Sequence, residues 1–186
     1  MLIILIVISL NFLDSSHHAL LTTSPNIFTQ HQYWRWLSCN FVHYGWAHSL
    51  IDILGFLIFT LLLLDRISTT KFLCLLFFCS MAVGVFMSIL SPILYYAGLS
   101  GVIHGLIIAG CFYAHHHPIW KRIIVLVITA GKILQEQLPG YDINPINNVM
   151  PVVIAIDSHL IGAIAGFLFI LLDKFFSHIR RSYSSH

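Results

Sequence analysis

Charge is what this sequence has least of. Charged residues make up 9% of it and hydrophobic ones 58%, with a mean hydropathy of +0.88, whereas a soluble domain carries roughly 25% charged residues. That shortage excludes an ordinary water-clothed globule and points to an all-α integral membrane protein. The net charge is only +2, and no basic run is suited to nucleic acid. Cysteine is scarce as well. Cys39, Cys74, Cys79 and Cys111 form no C-x-x-C pair, so neither a disulfide framework nor a structural metal site is indicated; they read as small packing residues. No metal and no other cofactor is expected. No shift in composition divides the chain, so residues 1–186 read as one domain.

What fills the sequence instead is apolar runs, at about 1–13, 46–64, 72–90, 99–114, 119–134 and 149–172. Lipid cannot satisfy an open backbone, so these are read as helices, six in one transmembrane bundle. The first run covers only about 20 Å at 1.5 Å per residue, against a hydrocarbon core of about 30 Å. It is either a shallow first span or the remainder of a longer one beginning upstream, and it lacks the basic start and cleavage site of a removed signal. Arg66, Lys71, Lys121, Arg122, Lys174, Arg180 and Arg181 fall on one side of this topology, with Arg35 and Lys132 on the other. The positive-inside rule then puts both termini in the cytoplasm. The stretch 14–45 is polar but rich in aromatics, Tyr33, Trp34, Trp36 and Tyr44 among them, as suits a membrane interface. Of the twelve histidines, His115, His116 and His117 precede Pro118 in what reads as a solvated loop, and His17, His18, His31, His178 and His186 lie outside the spans.

One stretch stands apart from the hydrophobic background: Gly98-Leu99-Ser100-Gly101-Val102-Ile103-His104-Gly105. A serine between glycines at the start of an apolar helix sits where backbone can bend and a substrate can come close, but its hydroxyl is a poor nucleophile without a base. His159 is a distant candidate base. Gly101 and Gly105 are four apart, as are Gly162 and Gly166 just beyond His159, and that spacing gives flat helix faces on which backbones pack closely. If those faces meet, Ser100 and His159 approach one another. Ser100 begins its span and His159 lies about ten residues into 149–172, an offset of roughly 15 Å at 1.5 Å per residue. The span holding Ser100 must then begin deep in the bilayer, behind the apolar segment 91–98.

Polar groups inside spans are costly and mark function by default. His48 and Asp52 are i and i+4 and share a face. They read either as a pair fixing helix packing or as donors to a developing oxyanion, Asp52 orienting His48, with backbone N–H groups around Ser100, Leu99 among them, as further donors. His104, i+4 from Ser100, lies on the serine's own helix and leaves less room for a substrate between them, so His159 is preferred as base. Asp157 is two residues from His159 and points elsewhere on a helix; a Ser–His dyad is expected, not a triad.

These residues resemble a known family. Gly98-Leu99-Ser100-Gly101 with His159-x-x-Gly162-x-x-x-Gly166 two spans later is similar to the motifs of the rhomboid intramembrane serine proteases. Gln32-Tyr33-Trp34-Arg35 resembles the family's Glu-x-Trp-Arg element, and His43, His48 and Asp52 fall on its His…His-x-x-x-Asn pattern. The resemblance runs from about Gln32 to Leu172. It departs at Gln32, at Asp52, whose carboxylate would repel an oxyanion unless protonated or paired, and at His104, where many members have Tyr. That last variant in a minimal six-span chain resembles the rhombosortase subfamily. The resemblance implies acyl transfer by Ser100 and His159 on membrane-anchored protein substrates that carry C-terminal Gly-rich anchors. It also implies a bacterial inner membrane with the site opening to the outer side. Two other readings stay open: a non-catalytic rhomboid-like protein that binds membrane clients, against which intact Ser100 and His159 argue, and a histidine-rich metal transporter, which would want ligands on several facing spans.

Overall fold

The computed structural model describes residues 1–141 and 155–184, and within them the chain is helical, with no strand. The helices are α1 (Leu2–Leu10), α2 (Ser15–Ala19), α3 (Arg35–Ser38), α4 (Trp46–Leu63), α5 (Thr69–Ile89), α6 (Ser100–Tyr113), α7 (Ile119–Glu136) and α8 (Ile156–Ser184). Their starts carry ordinary stop and start chemistry. The Ser68 side chain accepts from the Lys71 N–H at the head of α5, and Pro118 precedes α7, where its missing N–H leaves nothing unsatisfied.

Among the described residues, three helices have both the length and the apolarity to cross a bilayer: α4, α5 and the Ile156–Arg180 part of α8, with mean hydropathies of 1.9, 2.5 and 1.9. Large apolar side chains face outward from them, including Leu50, Leu54 and Leu61 on α4, Phe77 on α5 and Phe167 and Leu171 on α8. Exposed rows of this kind suit a lipid surrounding. The other expected spans differ from a simple crossing. α1 has 9 residues, about 14 Å at 1.5 Å per residue. α7 is 18 residues long but carries Lys121, Arg122, Lys132 and Glu136. α6 has only 14 residues. The expected span 149–172 begins in part on residues outside those described; the described helix starts at Ile156.

α6 is the axis of the molecule. Every residue from Gly101 to Cys111 is buried, so a helix apolar all round is here covered all round by protein. Its main neighbour is α8, and the contact is backbone on backbone. A Cβ placed on Gly162 would sit 1.7 Å from the Gly101 carbonyl oxygen, and one on Gly166 would sit 2.2 Å from that of Gly105. One on Gly105 would meet the Gly162 oxygen at 2.6 Å and Cys79 Sγ of α5 at 2.7 Å. Because Gly101 faces Gly162 and Gly105 faces Gly166, the two helices run parallel. Cys39, Cys79 and Cys111 are buried packing residues, while Cys74 faces outward, a correction to its reading as core. At the far end of the bundle Lys71 Nζ lies 2.8 Å from Asp173 Oδ2 and the Tyr113 hydroxyl donates to the same oxygen at 2.9 Å, tying α5, α6 and α8 together.

The segment between α2 and α4 is a polar cap docked on the bundle. Buried Arg35 donates through Nε to Gln32 Oε1 at 2.6 Å and through Nη1 to the Thr22 carbonyl at 2.8 Å. Gln32 thus supplies as a neutral acceptor what a carboxylate would supply with charge. The cap meets α5 closely, since a Cβ on Gly84 would collide with the Trp36 carbonyl oxygen at 1.8 Å, and Asn40 Nδ2 donates to the Ser80 carbonyl at 3.0 Å.

Candidate active site

The turn that presents Ser100 is built from both sides. From the cap, the Cys39 carbonyl accepts the Gly98 N–H at 3.0 Å, and the Tyr96 carbonyl accepts the Thr23 N–H at 3.1 Å. From within the turn, the Tyr96 hydroxyl donates to the Gly98 carbonyl at 2.7 Å. Burial pushes the Tyr96 phenol far above its ordinary titration range, which keeps it a donor. Gly98 has φ +137, a conformation open to glycine and strained for other residues. A Cβ there would also lie 2.9 Å from His48. Ser100 follows as the first residue of α6 and is half-buried.

His159 comes from the first turn of α8. Its Nε2 lies 3.1 Å from Ser100 Oγ, and the ring is buried, 4% exposed. The glycine contact beside this pair sets the spacing: with α6 and α8 touching through backbone at Gly101 and Gly162, Ser100, one residue before the first glycine, and His159, three before the second, can bridge the helices. Ser100 is the first residue of α6 and His159 the fourth of α8; the expected start of that span at 149 lies outside the described residues.

His104 takes a supporting place. Its Nδ1 is 2.7 Å from the Ser100 carbonyl oxygen, and its ring stacks on His159 at 4.2 Å between centroids and 22° between planes. Asp157 is half-buried on the same turn of α8 and does not take the second nitrogen of His159. Glu136 does. Its Oε2 lies 2.8 Å from His159 Nδ1, while its other oxygen is paired with Lys132 Nζ. The sequence reading missed this residue. The available signal was that Glu136 is the chain's single glutamate, four residues after a lone lysine at the end of an apolar run.

The polar pair on α4 is wired differently from the sequence expectation. Asp52 Oδ2 lies 3.0 Å from His43 Nε2 and accepts the Leu99 backbone N–H at 2.8 Å, but it is 3.7 Å from His48 Nε2. Asp52 therefore orients His43, not His48. The cause is the turn at Gly45, which folds His43 back over the head of α4 so that its ring stands edge-on to His48 at 4.9 Å. His48 lies against Gly98 with a buried, unpartnered Nδ1, next to the serine's turn. His43, His48 and Asp52 bring donor atoms within 4.8 Å of one another, close enough to hold a metal ion. Asp52 Oδ2 is already engaged by Leu99 and His43, and the cluster reads as a hydrogen-bonded support for the turn. The expected loop at His115–His117 is a turn whose residues are engaged: His117 Nε2 lies 2.8 Å from the Leu62 carbonyl oxygen and His116 Nε2 3.2 Å from Asp65.

A serine on a glycine-bounded helix start, 3.1 Å from a buried histidine of a parallel helix, is one half of the comparison. The other is a family profile described as Rhomboid domain, which matches residues 30–174, more than three quarters of the chain. This chain belongs to the rhomboid family. Members of that family are generally serine proteases that act on transmembrane substrates within the bilayer, and some are inactive; this rhomboid is accordingly an integral membrane protein. No curated protein matches the chain.

Proposed function

We propose that this rhomboid is an active intramembrane serine endopeptidase that uses Ser100 as nucleophile and His159 as base. The observation that carries the reading is the 3.1 Å approach of Ser100 Oγ to His159 Nε2 across the α6–α8 contact, a nucleophile and a base within hydrogen-bond reach. As Oγ attacks a peptide carbonyl, its proton passes to Nε2. The histidine returns that proton to the leaving amine, then takes one from the water that resolves the acyl-enzyme. Oxyanion stabilisation falls to backbone N–H groups at the head of α6 and to His48, whose ring borders the same turn. The Leu99 N–H is held by Asp52 in this state. In the bilayer the chain forms a six-helix bundle with α1, α6 and α7 as partial or charged members, both termini cytoplasmic and the site opening outward in a bacterial inner membrane.

The client is a membrane-anchored protein cut near the outer end of its helix. A helix must unwind to expose a carbonyl, and each glycine lowers that cost by about 1 kcal/mol relative to alanine. Together with His104 at the family's tyrosine position, this favours C-terminal Gly-rich anchors of the rhombosortase type. The decisive experiment is labelling of the purified protein by a serine-directed fluorophosphonate. Labelling that disappears in Ser100→Ala is expected; labelling unchanged in that variant removes the reading in favour of a non-catalytic client-binding rhomboid. A tailed reporter then tests specificity, since replacing its junction glycines with leucine should slow release.

A further inference from the structure

Three helices, not two, meet at His159. Its Nε2 faces Ser100 at 3.1 Å and its Nδ1 faces Glu136 Oε2 at 2.8 Å, so hydroxyl, imidazole and carboxylate form one continuous line. Glu136 is the last residue of α7 and is 3% exposed, whereas its i−4 neighbour Lys132 has a side chain 48% exposed. A carboxylate is costly to bury and is found buried only with its oxygens satisfied. Here one oxygen goes to Lys132 and the other to His159. A pair formed merely to neutralise Lys132 could have stayed at the surface with it. What burial achieves is the approach to the imidazole.

We infer that Glu136 is a positioning residue for the base, making this rhomboid a Ser–His–Glu enzyme; the inference rests on the reading of Ser100 and His159 given above. The Nδ1–H donates to Glu136, which fixes the tautomer whose Nε2 lone pair faces Ser100 Oγ. When Oγ attacks and its proton moves to Nε2, the imidazolium that forms lies beside a carboxylate. The proton then leaves from Nε2 to the amine, and Glu136 itself neither gains nor loses one. This is the division of labour of the acid in serine-protease triads, where the carboxylate orients the ring and stabilises its charged form. Lys132 balances the carboxylate's charge while no imidazolium is present.

The test is steady-state cleavage of a Gly-junction transmembrane reporter by the full chain in proteoliposomes, together with the rate of fluorophosphonate labelling at Ser100. Glu136→Gln should lower kcat and the labelling rate by about 10- to 1000-fold, with KM within about twofold, as for an interaction made only in the transition state. In a His159→Ala background the same change should not lower the residual fluorophosphonate labelling of Ser100 any further, because Glu136 works through that ring. Lys132→Met should cost less than Glu136→Gln. Should Glu136→Gln fold poorly, Glu136→Asp keeps the charge but shortens its reach, and lowered kcat at an unchanged melting temperature is then expected. Wild-type kcat in a folded Glu136 variant, or a loss that persists additively without His159, overturns the inference. If His159→Ala itself retains most activity, it is the base assignment that fails instead.

Discussion

At the scale of single residues, the proposed mechanism separates groups that would touch the reaction from groups that hold them. His159 brings a ring from a second helix to Ser100, whereas His104 bonds the serine's carbonyl and stacks on the base. His159→Ala should therefore abolish reporter cleavage and His104→Ala should only impair it, about 3- to 30-fold, as befits a supporting contact. The reverse ranking would exchange their roles. Asp52 makes a second case. Its carboxylate holds the Leu99 N–H, a donor at the head of the serine's helix, and brings negative charge beside the place where an oxyanion would form. An asparagine can still accept from Leu99 through its side-chain oxygen while removing that charge. Asp52→Asn is expected to leave kcat unchanged or raise it, and complete loss of cleavage in a well-folded variant would show that the charge itself is needed.

At the scale of helices, the glycine contact is the most sensitive feature. Gly162→Ala puts a methyl into the space of the Gly101 carbonyl, where backbone must move. Overpacking of this kind costs about 1–3 kcal/mol or more. The melting temperature and the labelling rate at Ser100 should fall together, whereas Gly131→Ala, on open surface of α7, should change neither. The sequence made this contact legible because four-residue glycine spacing survives into the fold wherever both helices are long and apolar. It made Glu136 illegible because the expected fifth span stopped at residue 134, leaving the glutamate outside it; two further residues of helix carry it under α8. The pairing of His43 with Asp52 was hidden for another reason. Residues 43 and 48 are not a helical pair, and only the turn at Gly45 folds the first against Asp52.

At the scale of the molecule, several of the few charges among the described residues stand in pairs: Lys71 with Asp173 between α5 and α8, Lys132 with Glu136 on α7, and Asp65 with His116 across the turns after α4 and α6. Each joins or finishes a helix, and none lies in the middle of α6. Packing of small residues, rather than hydrophobic burial, has to hold the centre, since lipid is as apolar as the helices themselves.

That central contact has a mechanical consequence. Membranes differ in thickness, and helices answer the mismatch by tilting. Because α6 and α8 touch through their backbones, they tilt as one piece, so the distance between nucleophile and base is independent of the lipid around them. The client helix has no such partner, and its scissile bond rises or sinks with bilayer thickness. Reconstitution in short-chain and long-chain lipids should therefore leave fluorophosphonate labelling of Ser100 constant within about twofold while reporter cleavage changes severalfold. Parallel changes in both would mean that the bilayer deforms the reactive pair itself.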